Sequence, residues 1–253
     1  MSGLWASVDG RVTPAEQAVV PALDRGFLFG DAVYEVFSTR RGRPLFWAEH
    51  LDRLRASGAR TGLAPQAIDG AVLRAEVAAL CAAVGADEAY VRLMVSRGVN
   101  PDLALDPREG LTPTRVLFAR PLTPVDPALK AHGCVLSTTV VPRRDDGQPV
   151  AKKSSRQGAI AERLAAHAAG AYEALRVDTL GRVLEGATST FFAVRAGVLL
   201  TPPLGLGILD GITRRHVLAV ARAASVPVAE AAIPAEALDE LDEAFICSST
   251  RGV

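Results

Sequence analysis

Several short clusters in this chain combine residue types that can do chemistry. Gly211-Ile212-Thr213-Arg214-Arg215 opens an apolar-periodic segment (Val217, Leu218, Val220, Ala221). Glycine ahead of a helix lets backbone approach an anion closely, and the unpaired N–H groups of the first turn, with the helix dipole, favour a phosphate. The alternative is that Thr213 merely caps the helix. In Glu49-His50-Leu51-Asp52-Arg53-Leu54, Leu51 and Leu54 are i,i+3 neighbours facing a core, while His50 and Arg53 share another face. From there Arg53 either presents its fork to a phosphate or stays in solvent.

Lys152-Lys153-Ser154-Ser155-Arg156 lies between a proline-containing loop and a helix. In extended backbone, adjacent side chains point to opposite sides, so one lysine enters a cleft and the other is solvated; paired surface charge is the plainer reading. Glu185-Gly186-Ala187-Thr188-Ser189-Thr190 sets a carboxylate before glycine and small hydroxyl residues. Such a run can hold a flat ring and accept a hydrogen bond from its nitrogen, or simply end a strand. Cys247-Ser248-Ser249-Thr250 offers hydroxyls that either ligate a phosphate or finish a sheet.

The elements that must carry these clusters alternate strand and helix. Hydrophobic patterning predicts strands over 4–13 and 32–40, a hairpin turn at Gly42-Arg43-Pro44, helices over 49–60 and 65–84, and strands over 89–96 and 114–119. The second helix is read with Ile68, Val72, Val77, Leu80 and Ala83 near one side. Pro121-Leu122-Thr123-Pro124-Val125-Asp126-Pro127 favours extended backbone and reads as a linker over 121–130, between an N-terminal domain (1–120) and a C-terminal one (131–253). The second half is read as strands over 133–141, 172–177, 190–194, 198–201, 226–230 and 244–248, with helices over 155–169 and 212–224. Mixed elements in both halves give two α/β or α+β domains, with a ligand expected in the cleft between them.

Composition narrows the function. Lys+Arg and Asp+Glu both number 28, so the formal net charge is 0 and the basic excess of a nucleic-acid protein is absent. Hydrophobic residues at 49% can fill a core. Cys81, Cys134 and Cys247 lack any C-x-x-C spacing, which excludes a thiolate zinc site and suits a reducing compartment. His50, His132, His167 and His216 show no metal spacing. No leader is apparent at Met1-Ser2-Gly3-Leu4-Trp5 and no apolar run is long enough to span a membrane, so the expectation is a cytoplasmic protein. Gly205-Leu206-Gly207-Ile208-Leu209-Asp210-Gly211 has its third glycine one residue late for a dinucleotide fingerprint, and Pro202-Pro203 spoils the strand that motif needs.

Taken in order, these clusters resemble the fold-type IV pyridoxal-phosphate enzymes, which include branched-chain and D-amino-acid aminotransferases and aminodeoxychorismate lyase. The matching residues are Asp24 to Glu35, Glu49 to Leu54, Gly170 to Leu175, Glu185-Gly186, Thr201-Pro202 and Gly211 to Arg214. The resemblance implies a small N-terminal α/β domain, a larger C-terminal mixed α/β domain and an active site in the interdomain cleft. It also implies pyridoxal 5'-phosphate as cofactor and a homodimer. Lys152 then matches the Schiff-base lysine; Lys-x-x-x-Arg and the spacing to Gly170 favour it over Lys153. Glu185 matches the carboxylate that pairs with the ring nitrogen. Arg53, the backbone N–H groups of Ile212 and Thr213, and a hydroxyl of Ser249 or Thr250 match the phosphate cup. Thr188 is counted among the cofactor contacts, and Tyr34 matches an active-site aromatic. Thr190 stands where many relatives have asparagine, and relatives usually continue beyond the position of Val253.

Two reactions fit the resemblance. Val33-Tyr34-Glu35-Val36 looks most like D-amino-acid aminotransferase, yet Arg97-Gly98-Val99-Asn100-Pro101 is not followed by that enzyme's Arg-x-His trap. Gln157 stands where branched-chain enzymes have tyrosine. Lys152-x-x-Ser155-Arg156 and Ser249-Thr250-Arg251-Gly252 are similar to the lyases, although Val36 and the lack of a second Arg-Gly are not. The expectation is an aminotransferase acting on an amino acid and a 2-oxo acid, with the lyase as alternative and a cofactor-free binding relative as a remote one.

Overall fold

The structure is a computed structural model that describes residues 3–107, 110–142, 144 and 146–253. Met1 and Ser2, read above for a leader, lie outside the described residues. The chain divides into two units of nearly equal length, Met1–Thr123 with Ala151–Ser155, and Pro124–Val150 with Arg156–Val253. The segment carrying Lys152 therefore groups with the first unit, although the linker-based boundary assigns it to 131–253.

The first unit is built on one antiparallel sheet. Its elements are β1 (Trp5–Val8), β2 (Arg11–Pro14), α1 (Arg25–Phe29), β3 (Ala32–Arg40), β4 (Arg43–Pro44), α2 (Trp47–Arg60), α3 (Gly70–Val84), β5 (Ala89–Ser96) and β6 (Arg115–Pro121). The strand order is β2-β1-β6-β5-β3-β4. The single strand expected over 4–13 is two, because Asp9 and Gly10 both take positive φ and turn the chain into a hairpin. The helix expected over 65–84 begins only at Gly70. Pro65–Ala67 form a 3₁₀ turn, and the Asp69 carboxylate accepts from the N–H of Ala71 at 2.8 Å and Val72 at 3.1 Å, which caps the helix there. Its buried side is Leu73, Val77, Leu80 and Cys81, while Val72 is exposed. Those residues pack with Phe37, Leu54, Val91, Leu93 and Leu117 to form the core between helices and sheet.

Register decides which residues share a face. Glu35 pairs with Leu93 and Phe37 with Val91, so Glu35 lies on the face that carries the apolar core. Tyr34, opposite Met94, and Val36, opposite Arg92, lie on the other.

The second unit holds α4 (Pro127–His132), β7 (Leu136–Val141), α5 (Gln157–Ala168), β8 (Glu173–Asp178), β9 (Val183–Gly186), β10 (Thr190–Arg195), β11 (Val198–Thr201), α6 (Ile212–Ala223), β12 (Val228–Glu230) and β13 (Glu243–Cys247). One sheet runs β7-β8-β9, the other β12-β11-β10-β13. β7 and β8 are parallel across the α5 crossover, as are β11 and β12 across α6. Glu185 and Gly186 end strand β9, which sequence patterning did not give. Pro127 opens a short helix capped by Asp126, so the proline-rich stretch is only partly extended.

A tight backbone approach fixes the Arg97-Gly98 corner. Gly98 has φ +95°, and a Cβ there would fall 1.8 Å from the carbonyl oxygen of Thr112. Its own carbonyl accepts from the N–H of Arg25 at 2.9 Å. Gly98→Ala is therefore expected to cost about 2–4 kcal/mol through strain and overpacking. Urea unfolding measures it, and an unchanged midpoint would mean that the corner yields freely.

Candidate active site

In the first unit the chemistry gathers around a buried carboxylate. Glu35 is 1% exposed on β3, where the strand aims it at α2. Arg53 and His50 lie on α2 at i,i+3 spacing and meet it together. Arg53 donates from Nε to Oε1 and from Nη2 to Oε2, both at 2.7 Å, and His50 Nδ1 lies 2.7 Å from Oε2. Arg53 is thus buried, and the solvated reading of it fails. Leu54 joins the apolar cluster beside it and Leu51 packs on that cluster's edge.

Burial opposes ionisation of Glu35, but the Arg53 guanidinium, its fork and the His50 hydrogen bond together hold the carboxyl at about 2. Burial pushes His50 the other way from protonation and lowers it, against the pull of Glu35. A neutral His50 facing an ionised carboxylate must carry its proton on Nδ1. Its Nε2 is buried with no hydrogen-bond partner among the described residues.

Lys152 runs beside β3. Its N–H donates to Ser57 Oγ of α2 at 3.0 Å, and its carbonyl accepts from the N–H of Tyr34 at 2.9 Å. Nζ stands 4.8 Å from the centre of the Tyr34 ring, and its charge is felt at Glu35 and His50. Lys153 bridges Val33 through backbone and leaves its side chain exposed. The extended-backbone argument, one lysine in and one out, describes this segment. Arg92, which sequence patterning passed over, has its guanidinium carbon 4.3 Å from the centre of the same Tyr34 ring. Arg97 is occupied structurally: it donates to both oxygens of Asp31 and to the carbonyls of Thr61 and Gly62.

In the second unit several short links of contacts involve the predicted residues. Glu185 is buried on β9; its Oε2 accepts from the N–H of Leu209 at 3.0 Å, and Oε1 lies 3.5 Å from Arg176 Nη1. Gly211 is the N-cap of α6, and no side chain caps that helix, so Thr213 is not its cap. A Cβ on Gly211 would come 2.7 Å from Thr190 Oγ1, so backbone and hydroxyl are close. Thr190 pairs with Cys247, which leads to Ser249 and Thr250. Thr188 is exposed, and its hydroxyl is bound to Glu173 at 2.9 Å and Arg251 at 2.8 Å. Burial pushes the Cys247 thiol up to about 12, although Arg214 and Arg251 both lie near enough to pull it down. The turn after Cys247 therefore starts beside two largely buried guanidinium groups.

Sequence reasoning missed the roles of Glu35, His50, Arg92, Arg176, Glu173 and Arg251. Glu35 and His50 stood in the quoted motifs, but a carboxylate in a β-strand has no spacing rule that ties it to a helix fifteen residues on. Arg92 alternates with apolar residues as any strand residue does.

Because folded Glu35 titrates at about 2 against an ordinary 4.5, the unfolded chain binds the extra proton through that window. The stabilisation is complete above the upper value and is lost as pH falls through the lower one. Glu35→Gln should cost about 3–5 kcal/mol at neutral pH, since it leaves Arg53 buried without its charge partner. It should also flatten the acid limb of a urea-unfolding profile against pH; an unaltered limb would mean that Glu35 is not the group responsible.

Comparison with known proteins bears on the family of the chain. The family amino-transferase class IV matches residues 32–253. A D-alanine aminotransferase of Listeria monocytogenes is 32% identical, the match covering 96% of this chain and 83% of that one. The crystal structure of 4-amino-4-deoxychorismate lyase from Pseudomonas aeruginosa superposes with TM-score 0.84 at 30% identity, covering 98% and 88%. A branched-chain aminotransferase from Thermoproteus uzoniensis gives 0.81 at 28%, covering 98% and 84%. Matched by one family over most of its length, the chain belongs to amino-transferase class IV, whose enzymes use pyridoxal phosphate.

Proposed function

We propose that the chain is an aminotransferase that moves an amino group between an amino acid and a 2-oxo acid. The observation that carries the reading is Nζ of Lys152, rather than of Lys153, standing 4.8 Å from the centre of the Tyr34 ring, with its charge felt at Glu35. The chain's own groups fit pyridoxal 5'-phosphate. The α6 N-terminus is open, with glycine at its cap. A Cβ on Gly186 would lie 2.2 Å from Ser189 Oγ, and that hydroxyl is buried with no hydrogen-bond partner among the described residues. The guanidinium groups near Cys247 suit an anion.

Bound pyridoxal phosphate supplies an electron-withdrawing ring that stabilises negative charge at the substrate carbon. Lys152 offers the amine for attachment and then holds and moves a proton at Nζ. Glu185 accepts the ring nitrogen's hydrogen bond, and Arg176 stands 3.5 Å from its other oxygen. The N–H groups of Ile212 and Thr213, the hydroxyls of Ser249 and Thr250, and Arg53 bind phosphate. Glu35 and His50 fix the plane of the Arg53 guanidinium. Arg92 at the Tyr34 ring is a cation for a substrate carboxylate, which amino acids and 2-oxo acids both carry. Thr188 supports the site through Glu173 and Arg251 rather than through the cofactor.

A second reading, aminodeoxychorismate lyase, is favoured by Ser249-Thr250-Arg251-Gly252, whose arginine is built into the protein at the end of β13. We also propose a homodimer. Arg25 donates to the carbonyls of Ala104 and Leu105 at 2.8 and 2.6 Å, and the segments it joins expose Phe27, Leu103 and Leu105, which are 64–74% accessible. Exposed apolar side chains gathered in this way mark an association surface. No helix among the described residues is long and apolar enough to cross a membrane. Cytoplasmic residence goes with the reading, and the free thiols of Cys81, Cys134 and Cys247 suit it.

The deciding measurement is the visible absorption of the reconstituted protein with separate amino donors and with aminodeoxychorismate. Bleaching by an amino acid, with release of a 2-oxo acid, is expected. An unchanged band with amino acids and pyruvate from aminodeoxychorismate would establish the lyase, and no band at all would support the cofactor-free relative. Lys152→Ala should abolish turnover and Lys153→Ala should leave it within about twofold, as for a surface change; the reverse would move the assignment by one residue. Sedimentation equilibrium should give a dimer, with Phe27→Asp shifting it toward monomer, and a monomeric wild type would remove that proposal.

A further inference from the structure

The five residues after β13 form a closed turn. The N–H of Ser248 donates to the carbonyl of Gly252 at 3.0 Å, the N–H of Gly252 returns to Ser248 at 2.9 Å, and the N–H of Arg251 reaches the same carbonyl at 3.3 Å. Ser249 and Thr250 sit at its tip. Gly252 and Val253 are exposed, so little apolar burial anchors this turn. The Arg251 side chain ties it to the rest of the unit. Nε donates to Ser248 Oγ at 3.0 Å. Nη1 donates to Glu173 Oε2 at 3.1 Å and to the Tyr172 hydroxyl at 3.3 Å. Nη2 donates to Thr188 Oγ1 at 2.8 Å and the Thr188 carbonyl at 3.2 Å. All three guanidinium nitrogens are engaged, on three separate stretches of chain.

Glu173 makes this clamp directional. It is fully buried, and its other oxygen accepts from both the N–H and the hydroxyl of Thr188. The loop after Glu185 is therefore held by Glu173 whether or not Arg251 is present. The 248–252 turn meets Glu173 and Thr188 through the Arg251 guanidinium. A guanidinium can span Glu173, Thr188 and Ser248 at once because its donors form a rigid planar fork; an ammonium on a flexible stem cannot.

We infer that Arg251 is a positioning residue: it docks the 248–252 turn on Glu173 and Thr188 and so sets where the Ser249 and Thr250 hydroxyls stand relative to the loop that follows Glu185. The inference rests on reading those hydroxyls as phosphate ligands and Glu185 as the ring-nitrogen partner. Arg251 itself is a contact of neither phosphate nor substrate, its guanidinium being spent on Ser248, Tyr172, Glu173 and Thr188. Its loss loosens the phosphate end while the Glu185 end stays in place.

The test uses the full-length apo-protein and compares pyridoxamine 5'-phosphate with pyridoxamine by titration calorimetry. Neither ligand bonds covalently to a lysine, so affinities report contacts alone. Arg251→Lys keeps a charge beside Glu173 but cannot bridge, and Arg251→Met removes the charge. Both should lose about tenfold or more in affinity for the phosphorylated ligand, the scale of one lost charged hydrogen bond. Affinity for pyridoxamine should stay within about twofold, because its contacts are held by Glu173. A parallel fall for both ligands would mean a general structural role and overturns the inference. Undiminished phosphate affinity in Arg251→Lys, with the wild type preferring the phosphorylated ligand, overturns it and leaves the phosphate reading standing. A wild type that binds both ligands equally removes that reading and this inference together. Arg251→Lys keeps the test decisive if Arg251→Met fails to fold.

Discussion

A buried carboxylate with two partners organises the first unit. Glu35 sits within the apolar core of a central strand, where an unpaired charge would be intolerable. Its solution is the Arg53 fork and the His50 ring, both delivered by one face of α2. That requirement fixes the rotation of α2 on the sheet and the plane of the Arg53 guanidinium, while burial lowers His50 against the pull of the carboxylate. Ser57, one turn further along α2, then takes the N–H of Lys152. The chemistry-bearing lysine is thus located by the same helix that neutralises Glu35. Alternation along β3 sends Tyr34 to the opposite face, where Arg92 meets it.

The second unit solves a related problem with the signs exchanged. Arg214 and Arg251 are cations in largely enclosed positions. Arg214 is held by the Pro202 carbonyl and Glu230, and Arg251 by Glu173, Thr188, Tyr172 and Ser248. Both bear on Cys247, from which the hydroxyl turn departs. The open N-terminus of α6 adds its unpaired N–H groups to the same unit. Glycine is required at the start of this helix for a packing reason as well as a chemical one, since Thr190 leaves no room for a Cβ at Gly211.

Much of this was legible in the residues. Hydrophobic patterning gave α2, α5 and α6 and the strands β3, β5 and β10; β5 alternates in burial, whereas β3 and β10 are buried on both faces and were read from their β-branched and aromatic residues. The order of the short clusters gave the family. Failures were of two kinds. Local backbone chemistry moved boundaries: Asp9-Gly10 split a strand, and Asp69 started α3 late. Short fully buried segments left no period to read, which is why β9 was missed although its four residues are all buried.

The sequence by itself determined the family, its cofactor, the kinds of element and the pair of lysines from which one had to be chosen. Tertiary structure alone decided which lysine adjoins Tyr34, that Arg53 is buried rather than solvated, and that Arg97 and Thr188 are committed to internal contacts. It also brought Glu173 and Arg251, 78 positions apart, into one clamp. The physical reason is that a polar side chain's role is set by what neutralises it. Those partners come from distant strands and turns brought together by packing, which spacing along the chain does not encode.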